Sequence, residues 1–297
     1  MCLAFQRRID ANLAGWRLDK ALCFLKPPLS LRAARRLIER GYALVNGQKP
    51  APSRKLALND LVSLAKAQEE EIFELPSLLS VADDYCCLFK PAGLHTVDLA
   101  GSAQKSLESF LPELTPHIAV KPLLLQRLDY QTRGLVCAAL NPGAASRFRQ
   151  AEKDASCEKF YYALLEGRLD KAVSVDNAID MDNRKKCKVL KKRGTRVTCI
   201  EPLVWLDGEE LSALRLDTPC SCTLARCKIS VGCRHQIRAH AASIGFPLVG
   251  DTLYGSRGKG AFLLEHYRLR FFNYKFDLPH AKSIFTQFLR EREKGII

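Results

Sequence analysis

Gln126-Arg127-Leu128-Asp129-Tyr130-Gln131-Thr132-Arg133-Gly134-Leu135 is the stretch on which the reading of this chain turns. The apolar run Leu123-Leu124-Leu125 precedes it, and Gly134-Leu135 opens another. Apolar flanks draw the arginine and the aspartate toward a half-buried place. A carboxylate there must be paired or hydrogen-bonded, because desolvating a lone charge is costly. A paired, dry aspartate is a poised nucleophile or base. Taken alone, the same residues also fit a structural Arg–Asp ion pair at a strand end, since such pairs perturb pKa values too. The motifs that accompany Asp129 decide between the two.

The bulk properties point to a polyanion. The 297 residues suit one large domain or two, and 47% hydrophobic residues suffice for a packed core. Against 32 acidic residues stand 46 basic ones, a net charge of +14. Such an excess favours binding to phosphates through counterion release; an anionic membrane surface is the competing partner. No apolar run approaches the roughly 18 residues of a membrane-spanning helix. The apolar stretch at Met1 to Phe5 is too short for a signal peptide, so a cytoplasmic location is expected. The 12 cysteines imply no disulfides in that setting. Cys220, Cys222, Cys227 and Cys233 lack the paired spacing of a zinc ribbon, so no metal is expected there. Cys86-Cys87 reads as a pair of small buried hydrophobes in a strand.

Residues 15–65 read as a module of their own. Leu18, Ala21, Leu22 and Leu25 share a helical face, ended by Pro27-Pro28. Ser30 is placed to cap a second helix, Leu31 to Arg40, with Leu31, Ala34, Leu37 and Ile38 as its stripe. Arg32, Arg35, Arg36 and Arg40 lie largely outside that stripe, and Gly41 stands at the C′ position. Tyr42 to Val45, the turn pair Asn46-Gly47 and Leu61 to Leu64 complete a small sheet. Helix, basic helix and Asn-Gly hairpin in this order resemble the S4-like RNA-binding module. Residues 66–76 are acidic and polar and read as a linker, leaving 77–297 as the second domain.

That domain carries four signals in order. Phe89-Lys90-Pro91-Ala92-Gly93-Leu94 is a strand running into a Pro-Gly turn. The Asp129 stretch is the second. The third is Glu158 to Gly167, a strand with Lys159, Tyr161 and Ala163 on one face. The fourth is Gly232-Cys233-Arg234-His235-Gln236-Ile237-Arg238-Ala239-His240, followed by Gly250-Asp251-Thr252-Leu253-Tyr254-Gly255. Read as one helix, it puts Arg234, Arg238 and Ala241 on a shared face. His235 and His240 are poorly spaced for two ligands of one metal, and ordinary polar contacts are expected of them.

Together these residues resemble the RluA-type pseudouridine synthases, which isomerise uridine in ribosomal or transfer RNA. That family's segments read approximately His-Arg-Leu-Asp-x-x-Thr-Ser-Gly-Leu, Lys-x-Tyr-x-Ala-x-x-x-Gly and Gly-Arg-Thr-His-Gln-Ile-Arg-x-His, then Gly-Asp-x-Leu-Tyr-Gly. The likeness spans roughly residues 80–272. It implies an α+β catalytic domain with a mixed, mainly antiparallel central sheet flanked by helices, beside the small N-terminal RNA-binding module.

It also implies roles. Asp129 would be the catalytic carboxylate, either attacking the sugar's anomeric carbon or removing its 2′ proton to give a glycal; residue identity does not separate the routes. Arg238 would pair with Asp129 and keep it ionised. Tyr161 would stack on the detached base and could help take the proton from carbon 5. Arg127 would fill the slot left by the extruded nucleotide, because a stacked uridine must leave its helix before a carboxylate can reach it. No cofactor is required, since nothing is oxidised. The partner would be RNA, ribosomal favoured and transfer RNA next, with no membrane.

The cationic run Arg184, Lys185, Lys186, Lys188, Lys191, Lys192, Arg193 and Arg196 then becomes a phosphate-tracking hairpin. The chain departs from the family at Gln126 (histidine), Arg133 (serine), Leu140 (lysine), Cys233-Arg234 (Arg-Thr) and Glu265 (commonly histidine). The alternative activity class is an inactive or weakly active RNA-binding relative in ribosome assembly. A glycosidase using Asp83-Asp84 is set aside, because neighbours on a strand face opposite ways.

Overall fold

The computed structural model describes residues 3–25, 31–39, 41–65, 74–99, 104–183, 185–207, 210–211, 221–257 and 262–293. The chain forms two compact units, residues 1–75 with 98–106, and residues 76–97 with 107–297.

In the first unit β1 (Leu3–Arg8), β2 (Ala43–Val45) and β3 (Leu61–Ala65) form an antiparallel sheet in the order β1-β3-β2. Helices α1 (Leu18–Leu25) and α2 (Leu31–Glu39) enclose its core with Leu18, Leu22, Ala34, Leu37 and Ile38. Gly41 (φ +78°) closes α2 as expected: its N–H donates to Ile38 O and that of Tyr42 to Leu37 O, a Schellman pair. Asn46 (φ +52°) and Gly47 (φ +79°) both adopt the left-handed region, which a two-residue hairpin turn requires. Ser30, Pro27, Pro28, Arg40 and most of the 66–76 segment lie outside the described residues.

The second unit is an α+β assembly on a ten-stranded sheet. Its strands are β4 (Ser77–Ala82), β5 (Tyr85–Lys90), β6 (Leu123–Leu124), β7 (Arg133–Ala139), β8 (Glu158–Glu166), β9 (Val173–Asp180), β10 (Lys188–Leu206), β11 (Cys222–Ile229), β12 (Leu264–Phe271) and β13 (Tyr274–Asp277). The order is β4-β5-β7-β12-β8-β11-β10-β9, with β6 on β7 and β13 on β12. Antiparallel pairing prevails; β7 and β12 are parallel, with Glu265 beside Arg133 and His266 beside Gly134. At that contact a Cβ on Gly134 (φ +117°) would lie 2.2 Å from His266 O, so the position needs glycine.

Period-two alternation buries both faces of the centre. Cys86, Leu88, Val136, Ala138, Tyr161 and Ala163 face one core; Tyr85, Cys87, Phe89, Leu135 and Cys137 face the other. Helices α3 (Leu107–Leu114) and α5 (Gln236–Ser243) cover the first face through Leu107, Leu111, Ile237 and Ala241. Helix α4 (Pro142–Lys153) covers the second through Ala144, Phe148 and Ala151. It is capped by Asn141, whose side chain accepts from Ala144 N, and Pro142 fills a first-turn position. Helix α6 (Ile284–Glu293) packs Phe285 and Phe288 on Leu164 and Leu224. Cys86 and Cys87 are buried as expected, and burial pushes the Cys86 thiol up to about 11.

Two expectations need correction. Asp83-Asp84 form the β4–β5 turn, not a strand, and Asp83 has φ +47°. Asp83 accepts from the Tyr274 hydroxyl, Asp84 from Asn141 and Arg147. The fourth motif is not helical from its start. His235 (φ +57°) is the N-cap of α5, so Arg234 lies outside the helix and shares no face with Arg238. The left-handed residue turns the chain where periodicity alone would have continued it.

Candidate active site

Asp129 lies on the loop between β6 and β7, held from three sides. Thr96 Oγ1 donates to Leu128 O (2.9 Å) and accepts from Leu128 N (3.0 Å). Thr132 N donates to Asp129 O (3.1 Å). Lys90, wholly buried at the end of β5, donates to Pro91 O, Leu94 O and Tyr130 O, tying the Pro-Gly turn to the aspartate loop. Burial lowers the Lys90 pKa to about 7, partly offset by Asp129.

Arg238 is brought to Asp129 by α5. Its Nη1 donates to Asp129 Oδ2 at 3.2 Å. Its Nε and Nη2 make a bidentate contact with Asp251 at 2.7 and 2.8 Å. The guanidinium also lies 5.2 Å from the Tyr254 ring and 5.1 Å from that of Phe262. Burial opposes its charge, but the two carboxylates prevail and its pKa is raised. Asp251 is 1% exposed while the Asp129 side chain is 20% exposed. One carboxylate therefore orients the cation, and the other meets solvent and whatever enters. Asp251, within the Gly-Asp-x-Leu-Tyr-Gly motif, received no role from sequence, because its partner lies across a loop rather than one helical turn away.

His235 completes this side. Its Nδ1 is 3.1 Å from the Tyr254 hydroxyl and its Nε2 3.9 Å from Asp129 Oδ2. Burial lowers its pKa, against the pull of Asp129. His240 instead bonds Thr198 Oγ1 (2.8 Å) and Asn177 O (2.9 Å), a buried polar contact between α5 and the β9–β10 hairpin.

Tyr161 enters from β8. It stands opposite His266 in the β8–β12 register, and the two rings stack at 4.6 Å and 22°. Burial, then the Asp129 charge, raises the phenol's pKa. Burial lowers His266 to about 4, and its Nδ1 meets Leu135 O at 2.7 Å. One pocket is lined by Arg127, Asp129, Tyr161, His235 and Arg238, together with Thr132 and Cys233. The three groups expected at the reacting centre thus meet, with exposed Arg127 at the rim.

The departures from the family pattern do not enter this pocket, apart from Cys233. Gln126 Nε2 donates to Leu135 O (3.2 Å). Arg133 Nε pairs with Glu265 at 3.2 Å, so two departures occupy one contact. Glu265 also accepts from Ser283 Oγ (2.5 Å) and Ile284 N (3.2 Å), at the start of α6.

The basic residues divide. Lys185, Lys186 and Lys188 are exposed at the β9–β10 end, and Lys186 Nζ lies 5.1 Å over the Tyr254 ring. Arg193 is exposed and paired with Asp176. Arg35 is bound to buried Asp19 (2.8 Å), with Arg17 on the same carboxylate. The Arg17 hydrogen bond, aided by Arg35 against burial, holds Asp19 at about 2. Arg184 and Arg40, and the side chains of Arg32 and Arg36, lie outside the described residues. Among the described residues no group of three or more His, Cys, Asp or Glu could hold a metal ion. No described helix is long and apolar enough to cross a membrane.

A buried Arg–carboxylate relay beside a stacked tyrosine, on a mostly antiparallel sheet, defines an α+β enzyme site suited to carboxylate chemistry on a stacked ring. The sequence pattern of the RNA pseudouridylate synthase family matches residues 84–243, over half the chain, and the protein belongs to that family. It is 30% identical over 253 residues to an uncharacterized RNA pseudouridine synthase of Aquifex aeolicus, covering 80% of this chain and 77% of that protein. Its identity to ribosomal large subunit pseudouridine synthase D of Nitrosomonas europaea is 28% over 257 residues, covering 83% and 71%. Human RNA pseudouridylate synthase domain containing 1 shares the fold, with a TM-score of 0.55 at 22% identity, over 69% of this chain and 84% of that one.

Proposed function

We propose that the protein isomerises specific uridines in structured ribosomal RNA, with Asp129 as the catalytic carboxylate. The observation that carries this is the single guanidinium of Arg238 shared between Asp251 and Asp129. Such a cation holds a half-buried carboxylate in place and aims it. Asp129 acts at the sugar: the bond from nitrogen 1 to the anomeric carbon breaks and that from carbon 5 forms. The proton leaving carbon 5 is balanced by one gained at nitrogen 1.

Tyr161 is a stacking platform. The upward shift of its pKa keeps the phenol neutral at physiological pH, which supports stacking on the loosened uracil and speaks against an ionised base at carbon 5. Arg127, exposed at the rim, takes the place of the extruded nucleotide. Lys185, Lys186 and Lys188 follow the phosphate backbone. Residues 15–65 act as an S4-like RNA-binding module, residues 66–76 link it, and residues 77–297 catalyse. The Schellman end of α2 and the Asn46-Gly47 turn support that module, although Arg35 spends its charge on Asp19. Relatives named ribosomal large subunit pseudouridine synthase D support ribosomal over transfer RNA, and a cytoplasmic location follows from that substrate.

The test is pseudouridine mapping in cells that express the wild type, Asp129→Asn or no protein. One or more ribosomal uridines lose the modification in both the deletion and the variant, while the purified variant keeps its RNA affinity. A map identical in all three strains would instead make the protein a non-catalytic binder in ribosome assembly.

A further inference from the structure

We propose that Arg234 is a positioning residue that clamps the start of the cationic hairpin loop to the catalytic wall. Its function is to hold Lys185 and Lys186 on the Tyr254 and His235 side of the site as an RNA phosphate rest. The inference builds on the reading that this hairpin contacts RNA.

The family pattern at residues 233–234 is Arg-Thr, whereas this chain has Cys-Arg. The relocated guanidinium belongs to the turn before α5 rather than to the helix. Its Nη2 donates to Met181 O at 3.0 Å and Asn183 O at 2.5 Å. Both bonds come from the two N–H groups of this one terminal nitrogen, so the length of the arginine side chain is what brings a donor to both carbonyls. Asn183 organises the residues after it: its Oδ1 accepts from Lys185 N (2.8 Å) and Lys186 N (3.3 Å). Holding the Asn183 carbonyl therefore holds the turn that carries both lysines.

The backbone at Arg234 is fastened as well. Cys187 Sγ donates to Arg234 O (3.2 Å), and the Tyr254 hydroxyl bridges Cys187 N, Cys187 O and His235 Nδ1. Residues 181–183 and 185–187 are thus joined to His235, whose Nε2 is 3.9 Å from the Asp129 carboxylate. Threonine, the family residue at 234, is too short to reach those carbonyls. A chain with threonine there would hold this loop by other means or not at all.

The test uses the full-length protein and an RNA substrate carrying the mapped uridine. Five proteins are compared: wild type, Arg234→Thr, Arg234→Lys, Lys185→Ala/Lys186→Ala, and the triple variant Arg234→Thr/Lys185→Ala/Lys186→Ala. Arg234→Thr speeds amide exchange at residues 181–183 and 185–187 in the free enzyme without lowering Tm. It raises KM for RNA about tenfold while kcat falls less than about twofold, the pattern of lost uniform binding. Combined with the double lysine change it adds little further loss, because both act on the same phosphates. Arg234→Lys falls between wild type and Arg234→Thr, since its ammonium can donate to both carbonyls from one nitrogen but sits on a shorter side chain. Unchanged exchange at residues 181–183 and 185–187, or additive losses in the triple variant, would overturn the clamp. If the double lysine variant alone leaves KM and the salt slope of binding unchanged, the hairpin reading itself has failed. Loss of affinity in that variant, with none in Arg234→Thr, removes only the clamp.

Discussion

The Arg133–Glu265 contact invites a double-mutant cycle. The Glu265 side chain is fully buried and that of Arg133 is 12% exposed. Removing one partner of a buried pair commonly costs about 3–5 kcal/mol, most of it the penalty on the charge left behind. In Arg133→Ser, Glu265 keeps its bonds from Ser283 Oγ and Ile284 N, and its charge still faces the start of α6. The loss should therefore fall at the lower end, about 3 kcal/mol. In Glu265→Gln, Arg133 keeps Lys282 O at 2.6 Å and the Phe89 ring at 5.3 Å, so about 1–2 kcal/mol is expected. The double variant leaves no unpaired charge, and its loss should fall short of the sum by about 1.5 kcal/mol or more. The chain has two tryptophans, Trp16 and Trp205, one in each unit. Urea unfolding in a Trp16→Phe background therefore reads the second unit through Trp205 alone. Losses that add to within about 0.5 kcal/mol would refute the pairing as a unit.

Other outcomes rest on the same geometry. Asp251→Asn should lower kcat on RNA by roughly 100-fold or more with Asp129 intact, because one oxygen that fixed Arg238 becomes an amide donor; near-normal turnover would show that Arg238 needs no second carboxylate. His266 is buried neutral with a pKa of about 4 against about 6.5 when unfolded. The unfolded chain takes up that proton first, so stability present above pH 6.5 is lost as pH falls from there toward 4, by roughly 3 kcal/mol; the unfolding free energy of wild type relative to His266→Phe should fall by that amount between pH 6.5 and 4, and parallel curves would refute the assignment. Gly134→Ala should destabilise the second unit by more than about 3 kcal/mol or prevent its folding, since its methyl meets the His266 carbonyl; a normal melting curve would place the β7–β12 contact elsewhere.

What could be seen in the sequence was local. The stripes of α1 and α2, the Asn46-Gly47 turn, the Gly41 stop and the alternation of β8 are each written within a few residues, where periodicity and turn chemistry act. The meeting of Asp129, Tyr161 and Arg238 was legible because each lies in a motif whose company is specific. Pairings set by the path of the chain were not. Arg133 and Glu265 looked like two unrelated departures until the parallel strand contact joined them. Asp251 could not be matched to Arg238 from spacing, since a loop separates them. Arg234 was misplaced on a helix because the left-handed backbone of His235 leaves no periodic trace. Asp83-Asp84 looked like strand because their neighbours are strand.

The placement of β12 has a consequence for biosynthesis. The strand Leu264–Phe271 lies between β7, which comes after the Asp129 loop, and β8, which carries Tyr161. Translation runs at roughly 5–20 residues per second, so about 7–27 s pass between the polymerisation of Asp129 and that of Leu264. Arg238 is polymerised only in roughly the last fifth of that interval, and from then until Leu264 is added the nascent polypeptide holds Asp129, Tyr161 and Arg238 without the wedge that seats them side by side. An enzyme made next to the ribosomes it is proposed to modify is thereby kept inert until β12 has been made.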